Sequence, residues 1–146
     1  MTDIELDLRL PNDLARLDDL SARIEAFVEE AGIAPTPAYR LQLAVDEFFN
    51  NAVDYGYPDG RAGEIAVQVR RLGKRLELIF ADDGDPFDPL AAPAPDLDGS
   101  VEERRIGGLG VYLVRTLCDS FAYVREEGRN VKRLTFSLEA PNPSGT

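Results

Sequence analysis

Apolar and charged residues alternate at the start of the chain, with Ile4, Leu6, Leu8 and Leu10 set against Asp3, Glu5, Asp7 and Arg9. A period of two gives a strand one apolar face, and Pro11 ends it. The spacing then changes to three and four. Leu14, Leu17, Leu20, Ile24, Phe27 and Val28 form the apolar stripe of a helix. Asn12 or Asp13 is placed to cap its start and Gly32 to stop it. Thr36-Pro37 reads as an N-cap with proline in the first turn. The second helix then runs to about Tyr55, with Leu41, Val45, Phe48 and Ala52 facing inward.

Turn residues fill Gly56-Tyr57-Pro58-Asp59-Gly60. Ile65, Val67 and Val69 alternate as a strand. Gly73-Lys74 turns it, and Leu76, Leu78 and Phe80 form the second arm of a hairpin. From Asp83 to Arg105 the pattern breaks into prolines, alanines, glycines and acidic charge; a loop this long is a lid or a disordered segment. Leu109, Leu113, Val114 and Leu117 predict a third helix that begins at a run of glycines. Two strands, Phe121 to Val124 and Val131 to Leu138, close the chain around Glu127-Gly128. Residues 1–140 thus read as one domain and 141–146 as a frayed tail.

The predicted order is strand, helix, helix, strand, strand, lid, helix, strand, strand. Paired strands favour an α+β, two-layer arrangement, with a mixed, mostly antiparallel sheet and about three helices on one face. The strand–helix alternation of a Rossmann fold is missing.

Composition narrows the function through what is absent. A formal net charge of -11 repels nucleic acid and anionic lipid, so neither is an expected partner. No apolar run has the length of a membrane span. The opening Met1-Thr2-Asp3-Ile4-Glu5 lacks the basic-then-apolar pattern of a signal peptide. Cys118 is the only cysteine, which fits a reducing cytoplasm. With no histidine, a Ser-His-Asp triad, an HExxH zinc site and a phosphohistidine relay are excluded. Neither of the two lysines, Lys74 and Lys132, follows a glycine in a Walker A pattern, and the protein-kinase motif set is missing. If the chain handles ATP, it does so without a lysine cradle.

Three short segments carry the candidate chemistry. Glu47 and Asn51 are four residues apart and share one side of the second helix. A carboxylate and an amide suit a proton acceptor and a magnesium ion held mainly by phosphates and water. Taken alone, the pair reads more simply as polar residues on a solvated helix face. Asp82 ends an apolar strand, where a carboxylate out of water accepts well from an adenine amino group, and Gly84 lets a ring approach the backbone. The same residues also make an ordinary polar turn. Phe87, in Pro-Phe-Asp-Pro, is a pocket wall, a partner contact or an apolar anchor for the lid. Gly107, Gly108 and Gly110 lead into a helix whose free N–H groups favour phosphate. Arg104 and Arg105 reach a terminal phosphate or balance charge within an acidic loop.

Together these residues resemble the ATP-binding domain shared by gyrase B, Hsp90, histidine kinases and MutL, the Bergerat fold. Glu47 to Asn51 resembles its N box. Asp82-Asp83-Gly84 and Gly107-Gly108-Leu109-Gly110 resemble its two glycine boxes. The short length, the Asp-Pro-Phe-Asp-Pro lid start and Gly-Gly-Leu-Gly-Val-Tyr-Leu-Val are most similar to the anti-sigma-factor serine/threonine protein kinases. Tyr55 stands where many relatives carry histidine.

The resemblance implies Glu47 as general base, Asn51 as magnesium ligand and Asp82 as adenine acceptor. It places Gly84, Phe87, Arg105, Gly107, Gly108, Leu109, Gly110 and Thr135 around the nucleotide. It implies ATP and Mg2+ as cofactors, a small anti-anti-sigma (STAS-type) protein as the phosphorylated partner, a sigma factor as the competing partner, and a possible homodimer. The alternatives are a binding module gated by nucleotide without phosphate transfer, and an interaction domain that has lost nucleotide.

Overall fold

The computed structural model describes residues 4–90 and 108–139. In chain order its elements are β1 (Ile4–Pro11), α1 (Leu17–Ala31), α2 (Pro35–Tyr55), β2 (Glu64–Leu72), β3 (Arg75–Asp82), α3 (Gly108–Leu117), β4 (Ser120–Glu126) and β5 (Arg129–Ser137). A single 3-10 turn, Leu14–Arg16, joins β1 to α1, and the Asp13 side chain caps it by accepting from the Ala15 N–H.

The strands lie in the order β1-β2-β3-β5-β4. Every pairing is antiparallel, so among the described residues the sheet is not mixed. Alternation sends Ile65, Val67 and Val69 of β2, Leu76, Leu78 and Phe80 of β3, and Leu134 and Phe136 of β5 to one face. The three helices cover that face: Leu20, Ile24 and Phe27 of α1, Leu41, Val45 and Phe48 of α2, and Val114 of α3 join the same core. The expected two-layer α+β arrangement is therefore the one observed.

Local chemistry explains most element ends. Gly32 closes α1 in a left-handed conformation, with Gly32 N donating to Glu29 O and Ile33 N to Val28 O. The β4–β5 turn holds Glu127 and Gly128 at φ 52 and 75, the double positive φ of a type I′ hairpin. The start of α2 differs from the expected Thr36 cap. Ala34 is the N-cap and no side chain caps it, because Pro35 occupies the first turn, where its missing N–H is not needed.

The lid expected over 83–105 is described only as far as Leu90. Its remainder, and the tail at 141–146, lie outside the described residues.

Ile24 is 1% exposed, at the contact between the helices and the sheet. Ile24→Ala is expected to lower unfolding free energy by about 2–5 kcal/mol, measured by urea denaturation.

Candidate functional site

Phe48 sets the position of α2. Its ring lies 5.6 Å from that of Phe80 at 60°, and 5.6 Å from that of Phe121 at 75°, and it is fully buried. Anchoring this residue turns Glu47 and Asn51 toward the cleft between α2, the end of β3 and the start of α3. Asn51 Nδ2 donates to Glu47 Oε1 at 3.2 Å. Burial raises the Glu47 pKa; the Asn51 hydrogen bond opposes this, Asp54 adds to it and Lys132 lowers it. A carboxylate shifted upward is a stronger proton acceptor than a solvated one.

Gly110 fixes the other side of that carboxylate. A Cβ built on Gly110 would stand 2.1 Å from Glu47 Cδ and 2.2 and 2.3 Å from its two oxygens. Only a residue without a side chain leaves the first turn of α3 this close to Glu47.

Asp82, 2% exposed, lies deeper. Its Oδ1 accepts from Gly84 N at 3.0 Å and from Asn130 Nδ2 at 2.9 Å. Asn130 uses its whole amide here: Nδ2 also donates to Asp85 O at 2.8 Å, and Oδ1 accepts from Phe87 N at 3.1 Å and Tyr123 OH at 2.6 Å. Gly84 sits against the end of α2, where an added Cβ would meet Gly56 Cα and O at 2.8 Å. Asp85 N donates to Gly56 O at 2.7 Å, and Arg125 Nη1 to Gly84 O at 2.7 Å. The loop after β3 is thereby tied to α2 and β4 together.

A cavity of about 10 Å³ lies among Asn51, Tyr55, Asp82, Phe87, Asn130 and Lys132. That is room for about one water. The rings of Tyr55 and Phe87 stack at its mouth, centroids 6.2 Å apart and 16° from parallel. Both are partly exposed, at 39% and 36%. The much larger cavity between α1 and α2, about 470 Å³ and bordered by Val28, Ile33 and Tyr39, shares no residue with this chemistry.

The residues fit a cation held chiefly by phosphate and water. No group of three His, Cys, Asp or Glu residues able to hold a metal occurs among the described residues. Asn51, 7% exposed, borders the cavity and uses Nδ2 on Glu47, and its Oδ1 accepts no hydrogen bond from any described residue. One amide oxygen suits magnesium, which keeps most of its waters.

Of the sequence candidates, Glu47, Asn51, Asp82, Gly84, Phe87 and Gly110 converge on the cleft. Gly108 is the first residue of α3, and Leu109 follows it. Arg105 and Gly107 lie outside the described residues. Thr135 is corrected. It pairs with Glu77 and Ser120, on the helix-free face of the sheet, and its hydroxyl lies 2.6 Å from Ser120 Oγ. The position beside Asp82 belongs to Asn130, its partner in register.

Asn130 and Lys132 escaped sequence reasoning. Their only signal was a polar residue and a lysine at even positions of a strand whose later even positions, Leu134 and Phe136, are buried. Lys132 borders the cavity from the sheet side.

An antiparallel sheet under three helices, with a buried carboxylate, a Glu–Asn pair and a glycine-opened helix around one cleft, is the arrangement of the gyrase B, Hsp90 and histidine-kinase class of ATP-binding domains. The histidine kinase-like ATPase domain matches residues 10–136. The chain is similar to serine/threonine-protein kinase BtrW of Bordetella bronchiseptica, 33% identical over 103 residues, 70% of this chain and 72% of that one. It is similar to serine-protein kinase RsbW of Listeria monocytogenes, 30% identical over 132 residues, 88% and 83% of the two chains. With RsbW of Bacillus subtilis it shares 35% identity over 97 residues, 62% of this chain and 59% of the relative. A crystal structure containing RsbU and RsbW domains from Mycobacterium tuberculosis has the same fold, with a TM-score of 0.68 at 19% identity, over 94% of this chain and 33% of that longer one. The chain belongs to the histidine kinase-like ATPase domain family.

Gly110→Ala separates site geometry from folding. Alanine favours the helix by about 1 kcal/mol, while its methyl displaces the Glu47 carboxylate. The expected result is an unchanged or higher melting temperature by calorimetry, with catalytic turnover lowered at least tenfold.

Proposed function

We propose that the protein is an ATP-dependent serine-protein kinase that works as a partner switch. Glu47 carries this reading: a half-buried carboxylate of raised pKa, hydrogen-bonded to Asn51 and pressed against Gly110. The kinase names of the relatives support it.

In this mechanism Asp82 accepts from the adenine amino group, and free N–H groups at the start of α3 receive phosphate oxygens. Asn51 Oδ1 helps hold magnesium, which neutralises phosphate charge when bound. Glu47 takes the proton of a serine hydroxyl on the protein partner. The serine oxygen bonds to the terminal phosphorus as the bond to the bridging oxygen breaks, and ADP leaves. The chain's contribution is chiefly alignment and electrostatics, as in phosphoryl transfer generally. The partner bearing the serine is a small anti-anti-sigma protein, and a sigma factor competes for the kinase, so phosphorylation decides which is held. Activity in the cytoplasm and a homodimer belong to the same proposal. Among the described residues no helix is long and apolar enough to cross a membrane.

Labelled ATP with magnesium and a cognate anti-anti-sigma protein tests this. Glu47→Ala is expected to slow transfer by about 10²–10⁴-fold, the usual contribution of a general base, while still binding ATP. Transfer at the normal rate by that variant would refute the role of Glu47. Wild type that binds ATP and phosphorylates no candidate would favour the gated binding module.

For the wild type, ATP at 100 times its dissociation constant is expected to add about 2.7 kcal/mol to unfolding free energy. A thermal shift with ATP and magnesium checks it, and no shift would indicate a domain without nucleotide.

A further inference from the structure

Lys132 is 2% exposed, on a strand face it shares with Leu134 and Phe136. Its Nζ lies 3.8 Å from Asp82 Oδ2, 4.9 Å from the centre of the Phe48 ring and 5.4 Å from that of Phe80. Burial lowers its pKa, and the charges of Asp82 and Glu47 raise it. Lys74, by contrast, pairs with Glu139 at the surface, its side chain 81% exposed.

An ammonium is a poor choice for filling a core. Removing it from water is costly, and an apolar side chain of similar volume in place of a buried ion-pair member is often neutral or stabilising when its partner is still satisfied. Asp82 would be so satisfied, because Oδ1 keeps Gly84 N and Asn130 Nδ2. Packing alone therefore does not call for lysine here.

The two oxygens of Asp82 have different surroundings. Oδ1 is committed to two donors, whereas Oδ2 accepts no hydrogen bond from any described residue and faces Lys132 at ion-pair distance, beyond hydrogen-bond reach. The rings of Phe48 and Phe80 are neighbours, their centroids 5.6 Å apart, and both contact the ammonium along one flank. Both Asp82 and Lys132 border the small cavity.

We propose that Lys132 is a positioning residue for the nucleobase: its ammonium, packed beside the adjoining Phe48 and Phe80 rings, holds the Asp82 carboxylate so that Oδ2 is presented to an amino group on the purine. The inference rests on the cleft being an adenine-nucleotide site. A carboxylate accepts and does not donate. An Asp82 fixed in this way favours a 6-amino purine over one that lacks the amino group. Lys132 touches no reacting atom and acts through Asp82.

Calorimetric titration of the full chain with ATP and with purine riboside triphosphate, which lacks the 6-amino group, tests this in the presence of magnesium. Wild type is expected to bind ATP about ten- to a hundredfold more tightly, the worth of one hydrogen bond to a charged group. Lys132→Met is expected to lose that preference, binding ATP as weakly as the analogue, with analogue affinity and melting temperature without nucleotide preserved. Asp82→Asn is expected to remove the same preference, and adding Lys132→Met to it to weaken ATP binding no further.

A Lys132→Met variant that keeps the preference, or that weakens both nucleotides equally, overturns the assignment, the second result marking a purely structural lysine. Should Lys132→Met not fold, Lys132→Leu, which also lacks a donor, gives the same readout. Wild type that binds both ligands equally overturns the amino-group readout alone. Wild type that binds neither overturns the nucleotide reading, and this inference with it.

Discussion

A carboxylate taken out of water has to find partners within the protein, and at Asp82 that requirement joins the parts of the fold. One oxygen is satisfied by the backbone of the loop that follows β3 and by an asparagine from β5. The loop that supplies Gly84 touches the end of α2 at Gly56 and is held by Arg125 of β4. The asparagine in turn holds the backbone of Asp85 and Phe87. Satisfying one buried group therefore fixes three strands, a loop and a helix end relative to one another. Those elements form the floor of the cleft.

The chemistry rests on that floor with different degrees of freedom. Glu47 and Asn51 belong to a helix whose intervening Phe48 is locked against Phe80 and Phe121, so their approach to the cleft is set by packing. The mouth is built differently, because Tyr55 and Phe87 contact each other and remain partly exposed. The floor is thus fixed by buried hydrogen bonds and packing, whereas the mouth is closed by two part-exposed rings in contact.

Local patterns were legible in the sequence, and cross-strand relations were not. The β1 alternation, the α1 stripe with its Gly32 stop and the Glu127-Gly128 turn all depend on neighbours within a few residues, and each agrees with the structure. The pairing of Asp82 with Asn130 depends on β3 meeting β5, an alignment that periodicity does not reveal. The same limit explains Thr135. Side chains alternate along a strand, so an odd-numbered residue of β5 faces away from a site built from even-numbered ones. Lys132 was passed over because a lysine suggests surface; its burial follows from two ring faces and a carboxylate contributed by other elements.

A chain of net charge -11 that receives a polyanion faces an apparent contradiction. Screening resolves most of it, since exposed charges farther away than about 8 Å are largely silent at physiological ionic strength. What remains is local and poorly screened. The cleft itself contains Glu47 and Asp82, both unfavourable to phosphate, so attraction has to come from groups that act at contact distance. In the proposed mechanism the N–H groups opening α3 are of this kind, and so is a cation carried in with the nucleotide. Lys132 lies beneath this arrangement and offsets the charge of the carboxylates from the core side. Contacts of this short range let an acidic chain hold a nucleotide without a positive surface around the site.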